Sequence, residues 1–212
     1  AMAEGGTLRA LVLGGTGATG RCLVQELVAS SKYSAVTALT RRAVDFESPK
    51  VTTVVADMKD FTSVSESFKD KDVAFCTLGT TRKDAGSAAA FREVDLHLVM
   101  RFAKQCKEAN IRDFHLLTSQ GANPKSWFLY PQTKGEVEEG VKGLAFPSTA
   151  IYRPGLLGRG ESARFVEKVG GVFLPVMQVS TLARAMAAAG AGARPSGVQA
   201  FGNGDINKLA QS

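Results

Sequence analysis

Apolar positions along the chain fall into two alternating rhythms. Short apolar runs at residues 10–13, 35–40, 51–56, 72–79, 114–119 and 148–152 have the length and composition of buried strands. Between them, apolar residues recur at helical spacing. They stand at 23, 24, 27 and 28 within residues 21–28, at Phe61, Val64 and Phe68 within residues 59–71, and at Phe91, Val94, Leu98, Phe102 and Cys106 within residues 88–110. Residues 131–142 predict a helix starting at proline, which a first helical position tolerates. Residues 161–169 read as a short amphipathic helix. Residues 179–186 open the last helix, with Ser180 or Thr181 as its cap, and run on into an alanine- and glycine-rich stretch, 187–193. Residues 83–87 predict a loop, and 198–201 a closing strand before a polar tail. Strands and helices alternate without repeat or linker. The pattern predicts an α/β protein: a single-domain Rossmann-type doubly wound parallel sheet with helices on both faces, spanning 1–212.

The first strand runs into Leu13-Gly-Gly-Thr-Gly-Ala-Thr-Gly20, which holds four glycines in the seven residues from Gly14 to Gly20. Strand, glycine turn and helix is the context in which such a pattern binds a dinucleotide. Gly14 or Gly15 permits the sharp turn off the strand, Gly17 lets backbone approach a pyrophosphate, and Gly20 allows close helix packing. Free N–H groups at the start of the helix then face the phosphates.

Composition narrows the setting. Of 212 residues, 44% are hydrophobic and 22% charged, ordinary values for a globular chain, and no apolar run is long enough to span a membrane. Ala1 before Met2 reads as a cloning remnant, residues 1–7 as a short tail without room for a signal or transit peptide. Cys22, Cys76 and Cys106 are odd in number and widely spaced, so they read as reduced core residues in a cytoplasmic protein. The net charge of +6 is spread over scattered lysines and arginines, which disfavours a nucleic-acid partner.

Chemistry concentrates after the strand ends. Arg41 stands 21 positions after Gly20, where an NAD enzyme places an acid for the ribose 2′-hydroxyl. Arg41 and Arg42 suit a 2′-phosphate instead, which favours NADP(H) over NAD. Tyr130 and Lys134 lie four residues apart at a helix start, on one face. An ammonium beside a phenol favours the phenolate, making Tyr130 a usable proton donor or acceptor. Ser119, at the end of the fifth strand, offers a hydroxyl for a substrate carbonyl oxygen. Leu78, Gly79 and Thr80 close the fourth strand, and Arg153, Pro154 and Gly155 bend the chain after the sixth. His97 and His115 have no partner pattern and read as structural; no metal site is expected.

Together these residues resemble the short-chain dehydrogenase/reductase superfamily in its atypical branch, most closely the Tat-interactive-protein-like family of NADPH-binding oxidoreductases. The resemblance runs from Arg9 to Ala210. Beside the glycine loop it rests on Thr40-Arg-Arg42, Phe75-Cys-Thr-Leu-Gly-Thr-Thr-Arg82, Leu116-Leu-Thr-Ser-Gln-Gly-Ala122, Phe128-Leu-Tyr-Pro-Gln-Thr-Lys-Gly-Glu-Val-Glu138 and Tyr152-Arg-Pro-Gly155. It implies that Thr16, Gly17, Ala18 and Thr19 bind pyrophosphate and that Asp57 and Met58 border adenine. It further implies that Leu78, Gly79, Thr80, Pro154, Gly155, Leu156, Leu157 and Arg164 line the ribose and nicotinamide. Tyr130 would be the acid/base, Lys134 would hold the nicotinamide ribose, and Ser119 would orient the carbonyl. The asparagine that assists proton relay in many superfamily members has no clear counterpart; Asp95 lies roughly in its place. The substrate-side part within 156–212 is short, implying a small or open pocket.

The function expected is an NADPH-dependent oxidoreductase, carbonyl reductase-like, acting on a small carbonyl or alcohol substrate. The alternative is an NADPH-sensing protein that contacts protein partners without turnover.

Overall fold

The computed structural model describes residues 7–158, 167–169, 172–174, 176–192 and 196–212. The expected helix over 161–169 and Arg164 therefore lie largely or wholly outside the described residues.

Strands β1 (Leu8–Leu13), β2 (Tyr33–Thr40), β3 (Val51–Val55), β4 (Val73–Cys76), β5 (Asp113–Leu117) and β6 (Ser148–Tyr152) follow the apolar runs. Two short pairs come next: β7 (Leu157–Gly158) with β10 (Met177–Gln178), and β8 (Glu167–Val169) antiparallel to β9 (Val172–Leu174). Strand β8 corrects the last three residues of the expected 161–169 helix. In the sequence a Gly-Gly pair separates β8 from β9, a hairpin signal that outweighs helical spacing. With β11 (Gly197–Phe201), six of these strands form a seven-stranded sheet ordered β11-β6-β5-β4-β1-β2-β3. Every pairing in it is parallel. Strand order reverses between β1 and β4, the switch point at which doubly wound sheets open a crevice.

The helices are α1 (Ala18–Ala29), α2 (Arg82–Ala85), α3 (Ala88–Arg92), α4 (Val99–Glu108), α5 (Leu129–Gly143), α6 (Val179–Ala191) and α7 (Asn203–Leu209). Both faces of β1 are covered, so its apolar run is continuous rather than alternating. Ala10 and Val12 join Leu23 and Leu27 of α1 and Leu182 and Met186 of α6 on one face. Leu11 and Leu13 join Phe102 of α4 and Val137 and Val141 of α5 on the other. Burying one Leu or Phe is worth roughly 1.5–3 kcal/mol, so this double cover fixes the sheet and aims every strand's carboxyl end at one edge.

Several expectations change in detail. The surface helix over 59–71 is a 3₁₀ stretch, Thr62–Phe68. It starts where Asp60 accepts the N–H and O–H of Thr62 at 2.9 and 2.7 Å, and it buries Phe61 and Phe68 beside Phe102. The loop over 83–87 holds α2, capped by Thr81 Oγ1 accepting from Asp84 N–H at 3.1 Å. Neither Ser180 nor Thr181 caps α6; its N-cap is Gln178, with no side-chain cap, because the helix follows β10 directly. Helix α5 begins at Leu129, two residues before Pro131, whose missing N–H lies in the first turn and costs no bond. Between α3 and α4 the chain does not run as a plain α-helix but passes through a π segment, Glu93–Leu98.

Candidate active site

The glycine turn is shaped by two close approaches. Gly14 has φ +90°, and a Cβ there would stand 2.8 Å from Thr77 at the end of β4. Of the two candidates for the sharp turn, Gly14 is the one that requires glycine. A Cβ at Gly20 would stand 2.0 Å from the Gly14 carbonyl oxygen, so Gly20 packs α1 against the turn itself. Gly17 is the N-cap of α1 and has no side chain to cap it, while its own N–H bonds Gly14 O at 3.0 Å. Thr16, Gly17 and Ala18 are exposed and Thr19 is buried. First-turn N–H groups without a side-chain acceptor fit a pyrophosphate.

Beside this turn, β2 ends at Thr40, whose Oγ1 donates to Arg42 O at 2.8 Å. Arg41 and Arg42 are both exposed there. At the next strand end, Asp57 is exposed and accepts Lys59 N–H at 2.8 Å. The carbonyl of Met58 is held by Nε and Nη2 of Arg101, at 3.2 and 3.0 Å.

Across the switch point, Leu78, Gly79 and Thr80 leave β4. Thr80 N–H donates to Asp95 Oδ2 at 3.0 Å. Asp95, carried by the π segment, is 0% exposed, and Lys134 Nζ of α5 approaches its Oδ1 to 2.6 Å, both side chains buried. The approach is a close charge contact, out of line for a hydrogen bond. A Cβ on Gly79 would lie 3.8 Å from both Asp95 Oδ1 and Lys134 Nζ, so this pair faces the β4 end. Lys134 Nζ is also 5.9 Å from the centroid of the Tyr130 ring, which packs at 5.8 Å on buried Phe91. Below the pair, burial pushes the Cys76 thiol up to about 12; a backbone N–H and Lys134 pull it down, and Asp95 pushes it up.

Ser119 follows β5 and its Oγ is buried without a partner. Its neighbours are pinned: Thr118 N–H donates to Tyr152 O and Gln120 N–H to Pro154 O, each at 2.8 Å. Arg153, Pro154 and Gly155 bend away from β6. Arg153 makes a two-point ion pair with Glu138 of α5, which also accepts from Thr118 Oγ1 at 2.7 Å. Glu138 raises the Arg153 guanidinium further above its usual range by hydrogen bonding. Gly155 N–H donates to Asn203 Oδ1 of α7 at 2.9 Å. Pro154 is buried and Leu156 exposed, while Leu157 belongs to β7.

The geometry adds two residues that the sequence does not single out, Glu138 and Asn203, and gives a partner to a third, Asp95. Glu138 lies one helical turn past Lys134, a spacing that signals a shared face. Asn203 stands in what read as a polar tail. The sequence marks Asp95 by position alone, and its ion pair with Lys134, 39 residues away, has no local signal. A cleft of about 310 Å³ opens beside Gln120, Arg153 and Asn203. A larger one, about 460 Å³, lies near Asp113 and His115, away from the strand ends that carry Ser119 and the glycine turn. His115 there is buried between Tyr152 OH at 2.9 Å and Asp113 Oδ2 at 3.2 Å, a structural setting. Among the described residues no helix is long and apolar enough to cross a membrane.

Comparison with known proteins gives this geometry a context. Residues 14–189 match the NAD(P)H-binding family. Rat protein HTATIP2 is 40% identical over 149 residues, 69% of this chain; the match spans 61% of the rat protein's length. Protein FMP52, mitochondrial, of the yeast Lodderomyces elongisporus is 39% identical over 166 residues, covering 73% of this chain and 70% of that protein. Among solved structures, the oxidoreductase ylbE from Lactococcus lactis superposes with a TM-score of 0.72 at 17% identity, covering 96% of this chain and 95% of that one. That likeness is one of fold. The expectation of a cytoplasmic protein does not stand, since the yeast relative and others of the same name are mitochondrial proteins. The reduced, scattered cysteines that suggested the cytoplasm fit any reducing compartment equally well.

Proposed function

Because the chain belongs to the NAD(P)H-binding family of HTATIP2-like atypical short-chain dehydrogenases/reductases, we propose that it is an NADPH-dependent carbonyl reductase. The observation that carries this reading is a buried Lys134 ammonium at the end of β4 with the Tyr130 ring beside it. NADPH, when bound, supplies a hydride to the carbonyl carbon. The exposed arginines Arg41 and Arg42 would donate to its 2′-phosphate, and the uncapped start of α1, with Thr16, Gly17, Ala18 and Thr19, would hold its pyrophosphate. Asp57 and Met58 border the adenine. Leu78, Gly79, Thr80, Pro154, Gly155, Leu156 and Leu157 form the walls toward the nicotinamide.

Ser119 Oγ, buried with an unused hydrogen-bonding capacity, donates to the substrate oxygen and fixes the carbonyl. Tyr130 then gives its phenolic proton to that oxygen as the carbon is reduced, leaving an alcohol and a phenolate. Tyr130 is 44% exposed, so water reprotonates it after product leaves. Lys134 holds the ribose and faces the phenol.

The test is a panel of aldehydes and ketones followed by loss of NADPH absorbance. At least one substrate is expected to be consumed, and Tyr130→Phe to lose that activity while still binding NADPH. A specific observation keeps a second reading in view: Trp127 and Phe128, just before Tyr130, are 99% and 77% exposed, a surface suited to protein contact. Tight NADPH binding with no carbonyl consumed across the panel would favour a sensor that contacts protein partners.

A further inference from the structure

Asp95 occupies a stripe otherwise given to apolar residues. Phe91, Leu98, Val99 and Phe102 are buried along the same run of helix, and Asp95 among them is 0% exposed. A carboxylate in such a place is costly unless it is paired and bonded. Two groups compensate it: Lys134 Nζ at 2.6 Å and Thr80 N–H at 3.0 Å. It also sits in the π segment, a local widening of the helix that recurs at functional sites. A second group registers the arrangement: the Cys76 thiol beneath is pulled one way by Lys134 and the other way by Asp95.

A free ammonium 5.9 Å from a phenol ring pulls that phenol toward its ionised form. An ammonium already matched by a carboxylate presents a dipole, whose field falls away faster than that of a single charge. We propose that Asp95 is a positioning residue that fixes the Lys134 ammonium and cancels its net charge, so that Lys134 serves Tyr130 by where its N–H groups point rather than as a free cation. The bearing on turnover rests on the reductase reading above; the charge arrangement itself does not.

The other charged groups on the packed elements are largely matched in pairs. Arg92 of α3 pairs with Glu136 of α5, Glu93 of the π segment with Arg101 of α4, and Glu138 of α5 with Arg153. Arg82, Lys83 and Asp84 on α2 are exposed to solvent. The field at Tyr130 therefore turns mainly on Asp95 and Lys134.

Tyr130 is also the only exposed tyrosine of three, Tyr33 and Tyr152 being buried. Its ionisation can be followed by ultraviolet difference absorbance in the cofactor-free protein and identified by its disappearance in Tyr130→Phe. Asp95→Asn keeps the shape and an acceptor for Thr80 N–H but leaves the pair with one net positive charge. Its Tyr130 titration midpoint is expected at least about one pH unit below the unmodified protein, the scale of an uncompensated charge at this distance. Lys134→Met, net negative, is expected to titrate higher by a similar amount. The double variant Asp95→Asn with Lys134→Met is neutral again and is expected to match the unmodified protein.

Equal midpoints for the unmodified protein and Asp95→Asn would overturn the proposal, as would a double variant titrating well above the unmodified protein. Should Asp95→Asn fail to fold, the comparison of the double variant with the unmodified protein decides alone. Because no cofactor or substrate is present, a failed carbonyl panel sinks the reductase reading and leaves this result standing.

Discussion

The carboxylate of Glu138 meets the guanidinium of Arg153 with both oxygens, and one of those oxygens also accepts a hydrogen bond from the hydroxyl of Thr118. Three elements are joined by this one side chain: the end of β5, the middle of α5 and the bend after β6. Helix α5 carries Tyr130 and Lys134, and the two strand ends carry Ser119 and Pro154. The walls of the proposed site are thus tied by a group that itself needs no contact with substrate.

Glu138→Gln is expected to lower stability by about 2 kcal/mol. Breaking a fully buried pair costs ~3–5 kcal/mol, but the Arg153 side chain is 36% exposed, so solvent recovers part of that. For a chain of this size the melting temperature should fall by roughly 4–8 °C. A thermal melt by circular dichroism reads it, and an unchanged melting temperature would mean that the pair is only a surface contact.

Ser119→Ala separates stability from chemistry. The Oγ is buried and bonds nothing, so removing it deletes an unmet polar group and should leave stability within about 0.5 kcal/mol, or raise it slightly. Carbonyl reduction, in contrast, is expected to fall by ~10²-fold or more, the scale for losing a donor to a reacting oxygen. A large loss of stability would show that the hydroxyl has a structural partner and would weaken its proposed role.

Cofactor preference is expected to follow Arg41 and Arg42. One charge-assisted bond to a 2′-phosphate at an exposed rim contributes ~1.5 kcal/mol or somewhat less, so NADPH should bind about tenfold tighter than NADH. The double change Arg41→Ala with Arg42→Ala should erase most of that gap and leave NADH affinity nearly unchanged. Calorimetric titration of both cofactors against both proteins decides it; equal affinities in the unmodified protein would remove the NADPH assignment.

The cysteines give an alkaline signature. Burial pushes the Cys76 thiol from 9.0 up to about 12 in the folded state, and burial raises Cys106 and Tyr152 as well. A group whose folded value is raised stabilises the fold fully below its unfolded value and loses that contribution as pH climbs toward the folded one. Stability should therefore decline from about pH 9 upward, and Cys76→Ala should flatten that decline. At neutral pH a thiol reagent should find only Cys22 quickly, because Cys76 and Cys106 are fully buried. Three fast thiols in the native protein would contradict this.

What the sequence disclosed depended on the range of the signal. The glycine turn, β6 at residues 148–152 and the tyrosine–lysine pair are local patterns, readable from neighbours alone. Helix α7 gives little sequence signal because Ile206 is its one buried side chain, and Ile206 with Leu209 is too few apolar positions in a polar stretch to set a period. The π segment was hidden because its wider turn mimics α-helical spacing over so few residues. Asp95 with Lys134, Glu138 with Arg153, and Asn203 with Gly155 join residues far apart in the chain. Those contacts arise only once the sheet has brought its strand ends together.

Beyond the last residue of β5, Thr118 donates its N–H to the carbonyl of Tyr152 at the end of β6, and Gln120 donates its own to the carbonyl of Pro154 just past it. In hydrogen-exchange terms, these two amides should open with the centre of the sheet and not with the surface loops. Ser119, lying between them, then inherits the slow clock of the core. Its hydroxyl cannot be re-aimed by loop drift, so divergence among relatives in what they accept would have to be written into the elements facing it, leaving this strand end where it is.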